Sequence, residues 1–384
     1  MKSTQLSRVE IFLLLILLLF GIPMILLIPP GAGYDEEDHL VRVWELSALS
    51  LIPGQLSPQE LRYPTVYRDF AYRQQGSTGI IDSEFWQTYK PATLYERGFV
   101  RREIDTKSVY SPVLLLPQAI TMRLFGRSTK LPALAVFYVC RLAGLLSYLV
   151  LAWLAVRQIP VGKWILLVLA VSPMALFQAA TITPDAISNG VGFLFIAGCL
   201  RLAQAREIGW NETGRLIFLI FLLFVAKLNL IPLILLPFLL ILPSQFVSRK
   251  LYVFLLAITF VLFLVEVAGW NWIASRNFDS LLLDQANPPG QLLYILSHPF
   301  AFLQTTLKDL FANGLPYLQG WINGYGYYYW TPPLPVAIIF LLSLSLAVLT
   351  DSTAGKVNRK QRIIFILLFV AGYITTIASL YISY

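Results

Sequence analysis

The chain has 384 residues, of which 57% are hydrophobic and only 13% are charged. The apolar residues recur in runs near the ~20 residues that cross ~30 Å of hydrocarbon, which excludes a soluble enzyme and predicts an all-α polytopic membrane protein. The formal net charge of +8 comes from basic residues in short loops between the runs, a pattern that indicates membrane orientation rather than a nucleic-acid partner.

The first span is predicted over 11–28, after the basic amino terminus MKSTQLSR. No small-x-small cleavage site precedes the acidic residues that follow, so we predict a retained span that runs outward rather than a signal peptide. Residues 29–130 then form a long outer segment without a full-length span. Within it, SPVLLLPQAITMRLFG (111–126) is short and contains prolines, which predicts a helix lying in the membrane interface.

Eight further spans are predicted, two of which come from dividing the apolar tract 215–247 at KLNLIP. They cover 131–156, 163–181, 185–204, 215–228, 230–247, 250–272, 333–350 and 361–382. With the amino terminus in the cytoplasm, nine spans put every basic loop cluster on the cytoplasmic side. The prediction is a single transmembrane domain with two large outer segments, 29–130 and 273–332.

Recognisable cofactor motifs are missing from the sequence. It has no glycine-rich phosphate loop, no Ser-His-Asp spacing and no HExxH helix, so we expect no nucleotide cofactor. Cys140 and Cys199 fall in predicted spans, which leaves no disulfide framework. Any chemistry is therefore expected on the outer face.

The stretch DEEDHLVRVWELSAL predicts a helix that begins near Asp35. Asp35, Asp38, His39 and Arg42 then share one face, because they lie at i, i+3, i+4 and i+7. In one interpretation Asp35 or Glu36 is a general base or a metal ligand at the lipid–water boundary. In the other, Asp35 caps the helix and Asp38 pairs with Arg42. The pattern alone leaves both open.

Asp185, in TITPDAIS, also has a structural interpretation, with Thr183 as the cap and Pro184 at the first helical position. Its predicted depth is level with Asp35, however. Two acids from distant positions at one surface suit a shared divalent metal, Mg²⁺ or Mn²⁺, or a shared proton.

Three charged residues lie within predicted spans, namely Arg141, Lys227 and Glu266. Charges there cost about 2.5–3.5 kcal/mol and usually face a protein interior or cavity. Arg141 and Lys227 can hold a lipid phosphate; the alternatives are snorkelling or pairing with Glu266. The aromatic run GWINGYGYYYWTPPLP (320–335) suits either sugar stacking or an interfacial belt. His298, in LSHPFAF, is expected at a helix end or in a loop.

The segment GYDEEDHLVRVWELS resembles the D-E-x-x-H-x-x-R start of a bacterial family of multi-spanning membrane proteins catalogued as a domain of unknown function. The resemblance covers most of the chain in order. It continues through YSPVLLLPQAI (110–120), RLAGLLSYLVLAWLAVR (141–157), SPMALFQAATITPDAISNG (172–190), KLNLIPLILLP (227–237) and DQANPPGQLLYILSHPFAF (284–302).

That family looks like a branch of the glycosyltransferase C (GT-C) superfamily, whose members transfer sugars from polyprenyl-phosphate carriers on the non-cytoplasmic face. There an acidic motif follows the first span, a proline-containing interfacial helix closes the first outer loop, and a later loop carries a further Asp. Asp35 and Glu36, residues 110–126, and Asp185 match these features. The resemblance also implies family members that continue past the last span into a Gly-Arg-Tyr-containing segment, so part of that region is expected to be missing here.

The resemblance implies a bacterial inner-membrane glycosyltransferase that uses a polyprenyl-phosphate sugar donor and a glycan or lipid acceptor. The candidate catalytic residues are Asp35 and Glu36, and the candidate metal ligands are Asp35 and Asp185. The candidate substrate-binding residues are His39, Arg42, Tyr110, Arg141, Lys227 and His298. The alternative functions are a flippase or exporter of lipid-linked sugars and a non-catalytic partner in a glycan-assembly complex.

Overall fold

The protein is helical throughout most of the residues that its structure describes. In a computed structural model, these residues are 6–74, 83–101, 110–128, 130–270, 272–273, 287–326, 333–351 and 358–383. The α-helices are α1 (Arg8–Leu27), α2 (Glu36–Ser47), α3 (Pro58–Leu61), α4 (Thr65–Gln74), α5 (Ser83–Tyr89), α6 (Leu116–Thr121), α7 (Ala133–Gln158), α8 (Lys163–Ala170), α9 (Pro173–Ala179), α10 (Asp185–Ala203), α11 (Trp210–Phe224), α12 (Leu236–Leu240), α13 (Arg249–Phe263), α14 (Pro288–Ser297), α15 (Pro299–Asn323), α16 (Leu334–Thr350) and α17 (Arg359–Ser383).

Shorter elements connect these helices. The 3₁₀-helices are Pro112–Leu115, Leu228–Leu235 and Pro243–Gln245, and the π-helical turns are Met122–Arg127 and Leu264–Trp270. Two short strands, β1 (Tyr63–Pro64) and β2 (Phe99–Val100), pair antiparallel. The helical class that the composition predicts is therefore what the described residues form.

Four described helices are long and apolar enough to cross a membrane. They are Arg8–Leu27, Ala133–Gln158, Asp185–Ala203 and Arg359–Ile382. These helices support a multi-pass membrane location. The count of nine spans stays a prediction, because the remaining predicted spans correspond to helices that are shorter or divided.

Proline accounts for two of the divisions. The span predicted over 163–181 is split into α8 and α9, and α9 has Pro173 in its first turn. The span predicted over 230–247 begins as a 3₁₀-helix that contains Pro232. Proline has no N–H to donate and disfavours a continuous α-helix, so both breaks follow from the sequence.

Helices α7 and α10 form the centre of the described bundle, and α1 packs on α7, with Gly21 against Leu145. Helices α7 and α10 run in the same direction: Gly190 near the start of α10 packs on Leu151, and Gln158 Nε2 at the end of α7 donates to the Leu194 carbonyl, 3.2 Å away. A Cβ on Gly190 would lie 2.7 Å from Leu151 Cβ, so the small residue permits the close approach. Both helices therefore begin at one end of the bundle and finish at the other.

Helix α4 packs against α2 and α7 through a buried aromatic group that includes Tyr67, Trp44 and Phe137. Two basic side chains complete the last turn of α2: Arg127 Nε donates to Ser47 Oγ at 2.6 Å and Arg123 Nη1 to the Ser47 carbonyl at 2.9 Å. Cations at a helix carboxyl terminus compensate its exposed carbonyls. These contacts hold α2 against the 111–126 segment.

The predicted interfacial helix, 111–126, is helical in three pieces from Pro112 to Arg127. Its outward stripe is apolar, with Leu116, Ile120 and Leu124 exposed at a spacing of four residues. The opposite face is buried against the protein. A helix lying at a lipid headgroup layer exposes such a stripe.

The second predicted outer segment, 273–332, contains more regular structure than its sequence indicated. Its described part, 287–326, forms α14 and α15, each of which has proline in its first turn. Proline at this position favours a helix start because the N–H that it lacks has no partner there. Residues 274–286 and 327–332, the latter with the aromatic residues YYYW (327–330), lie outside the described residues.

Candidate functional site

A buried ion pair joins the start of α2 to α7. The side chains of Glu36 and Arg141 are both 0% exposed, and the pair is bidentate, with Arg141 Nε 2.8 Å from Glu36 Oε1 and Nη2 2.6 Å from Oε2. The remaining donors of Arg141 bind carbonyls at the end of α1: Nη1 to Ile25 and Ile28, and Nη2 to Pro29. All five guanidinium N–H groups are thereby used.

Glu36 is equally saturated. Its Oε2 accepts from the backbone N–H groups of Gly31 and Gly33 at 3.1 and 3.2 Å, and its Oε1 accepts from that of Ile182 at 2.8 Å. With two bonds from Arg141, the carboxylate accepts five hydrogen bonds in total. A carboxylate has about four lone-pair sites, so at least one site of Glu36 accepts two bonds. Glu36 therefore holds the turn after α1 against the turn before α10.

Backbone contact also brings these two turns together. A Cβ on Gly33 would lie 2.9 Å from Thr181 Cβ, so the approach of the turns requires glycine there. The result is that Asp35 and Asp185, 150 residues apart in the sequence, come to the same end of the bundle. Convergence of the two acids at one end was the central prediction from the sequence.

Asp35 has a left-handed backbone, with φ 50° and ψ 24°. It occupies the cap position of α2, as the structural interpretation predicted, but its side chain makes no capping hydrogen bond. Asp is one of the few residues other than glycine that adopt this conformation readily. Asp35 is half-buried at the start of α2.

Asp185 is held by an ion pair and an amide. Lys227 Nζ pairs with its Oδ1, and Gln178 Nε2 donates to its Oδ2 at 2.9 Å. Asn189 Nδ2 in turn donates to Gln178 Oε1 at 2.8 Å, which fixes the amide orientation. The Thr183 hydroxyl accepts from the backbone N–H of Asp185 at 3.2 Å, but α10 begins one residue later than predicted, with Pro184 rather than Thr183 at the cap position.

Aromatic rings connect the two acids. The rings of His39 and Tyr110 lie 5.9 Å apart, and Lys227 Nζ lies 5.1 Å from the centroid of the Tyr110 ring. We call Asp35, His39, Tyr110, Asp185 and Lys227 the Asp35–Asp185 cluster. They come from the start of α2, the start of the 111–126 segment, the start of α10 and the turn after α11.

His39 lies at the centre of this cluster and is buried. Burial lowers its pKa from 6.5 to about 4, with Asp185, Lys227 and Asp35 all near enough to act on its charge. The imidazole is therefore neutral at pH 7. Within the described residues, its Nδ1 has no hydrogen-bond partner. A buried polar atom of this kind is where a ligand hydroxyl can bind.

A third segment closes over the turn that carries Asp35. The Tyr34 hydroxyl donates to the Gly324 carbonyl, and Tyr325 stacks on Phe177 with centroids 4.7 Å apart and planes 4° apart. Gly326 has φ 50°, and a Cβ there would lie 2.4 Å from the Ala32 carbonyl oxygen. Tyr325 belongs to the aromatic run 320–335, so part of that run packs beside the cluster.

Two predicted substrate-binding residues lie elsewhere. Arg42 is fully buried, pairs with Glu45 and donates to the carbonyls of Ser50 and Leu51, so it completes the end of α2. The expected Asp38–Arg42 pair is therefore replaced by a pair at i+3. His298 is exposed between α14 and α15, where its ring stacks on Tyr294 at 4.9 Å.

The ion-pair partners of Arg141 and Lys227 differ from those considered from the sequence. Arg141 and Lys227 pair with Glu36 and Asp185 rather than with Glu266. Arg141 has no N–H left for a lipid phosphate, which contradicts that prediction, whereas Lys227 is 28% exposed. Gln178 is not among the site residues predicted from the sequence, although its position in FQAATITPD, seven residues before Asp185, is a usable signal.

The donor set does not fit the predicted metal. In the described ranges, no three His, Cys, Asp or Glu side chains are grouped closely enough to hold an ion. The Lys227 ammonium also occupies the position beside Asp185 that a cation would take. We therefore derive no chemical step through a metal.

Comparison with known proteins places the chain in a family. The family model described as "Predicted membrane protein (DUF2142)" matches residues 18–384, which is nearly the whole sequence. The search of curated proteins and the search of solved structures found no match to this chain.

Proposed function

We propose that this chain, which belongs to the DUF2142 family of predicted membrane proteins, is a glycosyltransferase with a polyprenyl-phosphate-linked sugar donor. Its acceptor is a glycan or lipid of the cell envelope, and transfer takes place at the non-cytoplasmic face of the bacterial inner membrane. The observation that carries the proposal is the Asp35–Asp185 cluster, in which two acids, a lysine, a tyrosine and a neutral histidine from four segments meet at one end of the bundle. A GT-C arrangement of the spans is part of the proposal.

Asp35 is the general base. Of the two adjacent acids, Glu36 is fully buried and already accepts five hydrogen bonds from Arg141 and three backbone N–H groups, so both of its oxygens are engaged within the protein. Asp35 is half-exposed and has a carboxylate that does not cap α2. Glu36 is thus a positioning residue, whose bonds fix the turn that presents Asp35.

Lys227 stabilises the leaving phosphate. It is partly exposed, it lies over the Tyr110 ring, and its partner Asp185 is held in place by Gln178. An ammonium fixed in this way interacts with the charge that develops on a departing phosphate oxygen. Asp185 orients Lys227, and the neutral His39 offers Nδ1 to a substrate hydroxyl.

The proposed reaction is a single displacement. The acceptor hydroxyl transfers its proton to the Asp35 carboxylate as its oxygen attacks the anomeric carbon. The bond from that carbon to the phosphate oxygen breaks, and polyprenyl phosphate leaves with the bonding electrons. A phosphate departs without protonation, so one base suffices and the anomeric configuration inverts.

The test is Asp35→Asn in purified protein reconstituted in nanodiscs with a polyprenyl-phosphate sugar and candidate acceptors. Asn adopts the left-handed backbone of residue 35 as readily as Asp, so the variant is expected to fold. Release of polyprenyl phosphate should fall by about 10²–10⁴, the usual contribution of a general base. The matched control is Glu207→Gln, an exposed acid after α10, which should retain activity.

Two results would overturn the proposal. Full turnover by the Asp35→Asn variant would show that Asp35 is not the general base. Movement of the intact lipid-linked sugar across liposomes, with no release of carrier phosphate by the wild type, would instead identify a flippase.

A further inference from the structure

An arginine-lined groove lies at the end of the bundle opposite the Asp35–Asp185 cluster. It has a volume of about 860 Å³ and opens between the last turns of α7 and α10 and the start of α11. We call it the arginine groove. Its lining includes Arg157, Arg201, Arg215, Trp210, Gly214 and Phe218.

The basic residues of the groove are not neutralised by the protein. Arg157, Arg201 and Arg215 are all exposed, and the lining contains no Asp or Glu. Among the described residues, none of the three is within salt-bridge distance of a carboxylate. Three like charges at one concave surface repel each other, and an anion between them removes that cost.

The apolar side of the groove lies towards the middle of the bundle. Phe218 follows Arg215 by three residues on α11, and Leu154 precedes Arg157 by three residues on α7, so each apolar side chain lies about 4.5 Å further inward. Both are exposed. Trp210, 66% exposed, lies at the polar end of α11, where an interfacial aromatic is expected.

The groove also has unfilled space. A Cβ on Gly214 would have no atom within 4 Å, although the residue belongs to the lining. A charged end, an apolar wall and open volume between them match the order of groups in a phospholipid that stands along the helices.

From these features we infer that the arginine groove binds an anionic phospholipid of the leaflet opposite the Asp35–Asp185 cluster, the predicted cytoplasmic leaflet. The three guanidinium groups hold the phosphate and the negative headgroup, because guanidinium forms paired hydrogen bonds with phosphate oxygens. The acyl chains lie along Leu154 and Phe218. The apolar wall favours a lipid over free phosphate, and the excess of positive charge favours an anionic headgroup over a zwitterionic one.

The first experiment measures lipid binding by native mass spectrometry of the full chain, with phosphatidylglycerol and phosphatidylcholine offered in equal amounts. The wild type should retain phosphatidylglycerol at least tenfold more than phosphatidylcholine. Combined replacement Arg157→Gln, Arg201→Gln and Arg215→Gln should abolish this preference. The matched control Arg249→Gln, Lys250→Gln and Arg359→Gln removes three exposed basic residues outside the groove and should retain it.

Equal loss in both triple variants would overturn the inference, since it would show a response to total charge only. Retention of the preference in the groove variant would overturn it as well. If that variant does not fold, Gly214→Phe fills the groove without changing a charge and should reduce phosphatidylglycerol retention about tenfold. Inorganic phosphate at millimolar concentration should not displace the lipid from the wild type; displacement would indicate a site for free phosphate instead.

Discussion

Helix α7 carries two arginines, Arg141 and Arg157, in opposite circumstances. Arg141 is fully buried and uses all five N–H groups within the protein, whereas Arg157, sixteen residues or about 24 Å further along the helix, is exposed in a groove with two more arginines. From the sequence alone, both are simply arginines in an apolar helix. The number of donors already bound to protein is what separates a structural arginine from one available to a ligand.

The sharpest test of this comparison removes one arginine at a time. Arg141→Gln leaves Glu36 as an uncompensated buried charge and should lower the free energy of unfolding by about 3–5 kcal/mol. Arg157→Gln should change it by no more than about 0.5 kcal/mol. Thermal unfolding in detergent, followed by tryptophan fluorescence, measures both.

A double variant separates the ion pair from the carbonyl contacts. Glu36→Gln combined with Arg141→Met should be less destabilising than the sum of the single changes, because no buried charge is left without its partner. Strict additivity would show that Glu36 and Arg141 act independently, and the description of the pair would then be wrong.

The Asp35–Asp185 cluster also contains a group, His39, whose protonation should make stability depend on pH. The buried imidazole of His39 has a pKa of about 4, against 6.5 when unfolded, so the unfolded chain binds the extra proton between these values. Stability is therefore complete above pH 6.5 and falls as the pH drops towards 4. Lowering the pH from 7.5 to 5 should cost about 2 kcal/mol through this residue.

Substitution identifies the source of that pH dependence. His39→Gln should flatten the fall in unfolding temperature between pH 7.5 and pH 5. The exposed His298, the only other histidine, provides the control, and His298→Gln should leave the slope unchanged. A slope that survives in the His39 variant would show that carboxylates, not this imidazole, dominate acid unfolding.

A substitution in the segment that packs over the Asp35 turn should have a smaller effect on stability. Gly326→Ala places a Cβ at φ 50° and 2.4 Å from the Ala32 carbonyl oxygen, so it should destabilise the protein by about 1–2 kcal/mol and displace Tyr325 from Phe177. Gly314→Ala within α15 meets only Leu310 at 4.0 Å and should instead stabilise by about 0.5–1 kcal/mol. Equal effects on unfolding temperature would mean that the segment does not pack as described.

Local patterns in the sequence predicted the helical class and the positions of Asp35 and Asp185 at helix starts. They could not separate Asp35 from Glu36, because the two are adjacent acids and the difference between them is made by Arg141, 105 residues away. The same limit applies to Arg42. Spacing favoured Asp38 as its partner, but the carbonyls of Ser50 and Leu51 at the other end of α2 draw the guanidinium towards Glu45.

The second ion pair of the Asp35–Asp185 end should contribute much less to stability than the pair of Glu36 and Arg141. Lys227 and Asp185 are 28% and 17% exposed, so Lys227→Met should cost no more than about 1 kcal/mol, against 3–5 for Arg141. Turnover in the transferase assay should nevertheless fall about 10²–10³-fold, because the charge that stabilises the leaving phosphate is lost. A Lys227→Arg variant, which keeps the charge, should recover part of the turnover. The opposite result would be a loss of stability as large as that of Arg141→Gln, with turnover per folded molecule unchanged. It would show that Lys227 is a second structural cation and does not stabilise the leaving phosphate.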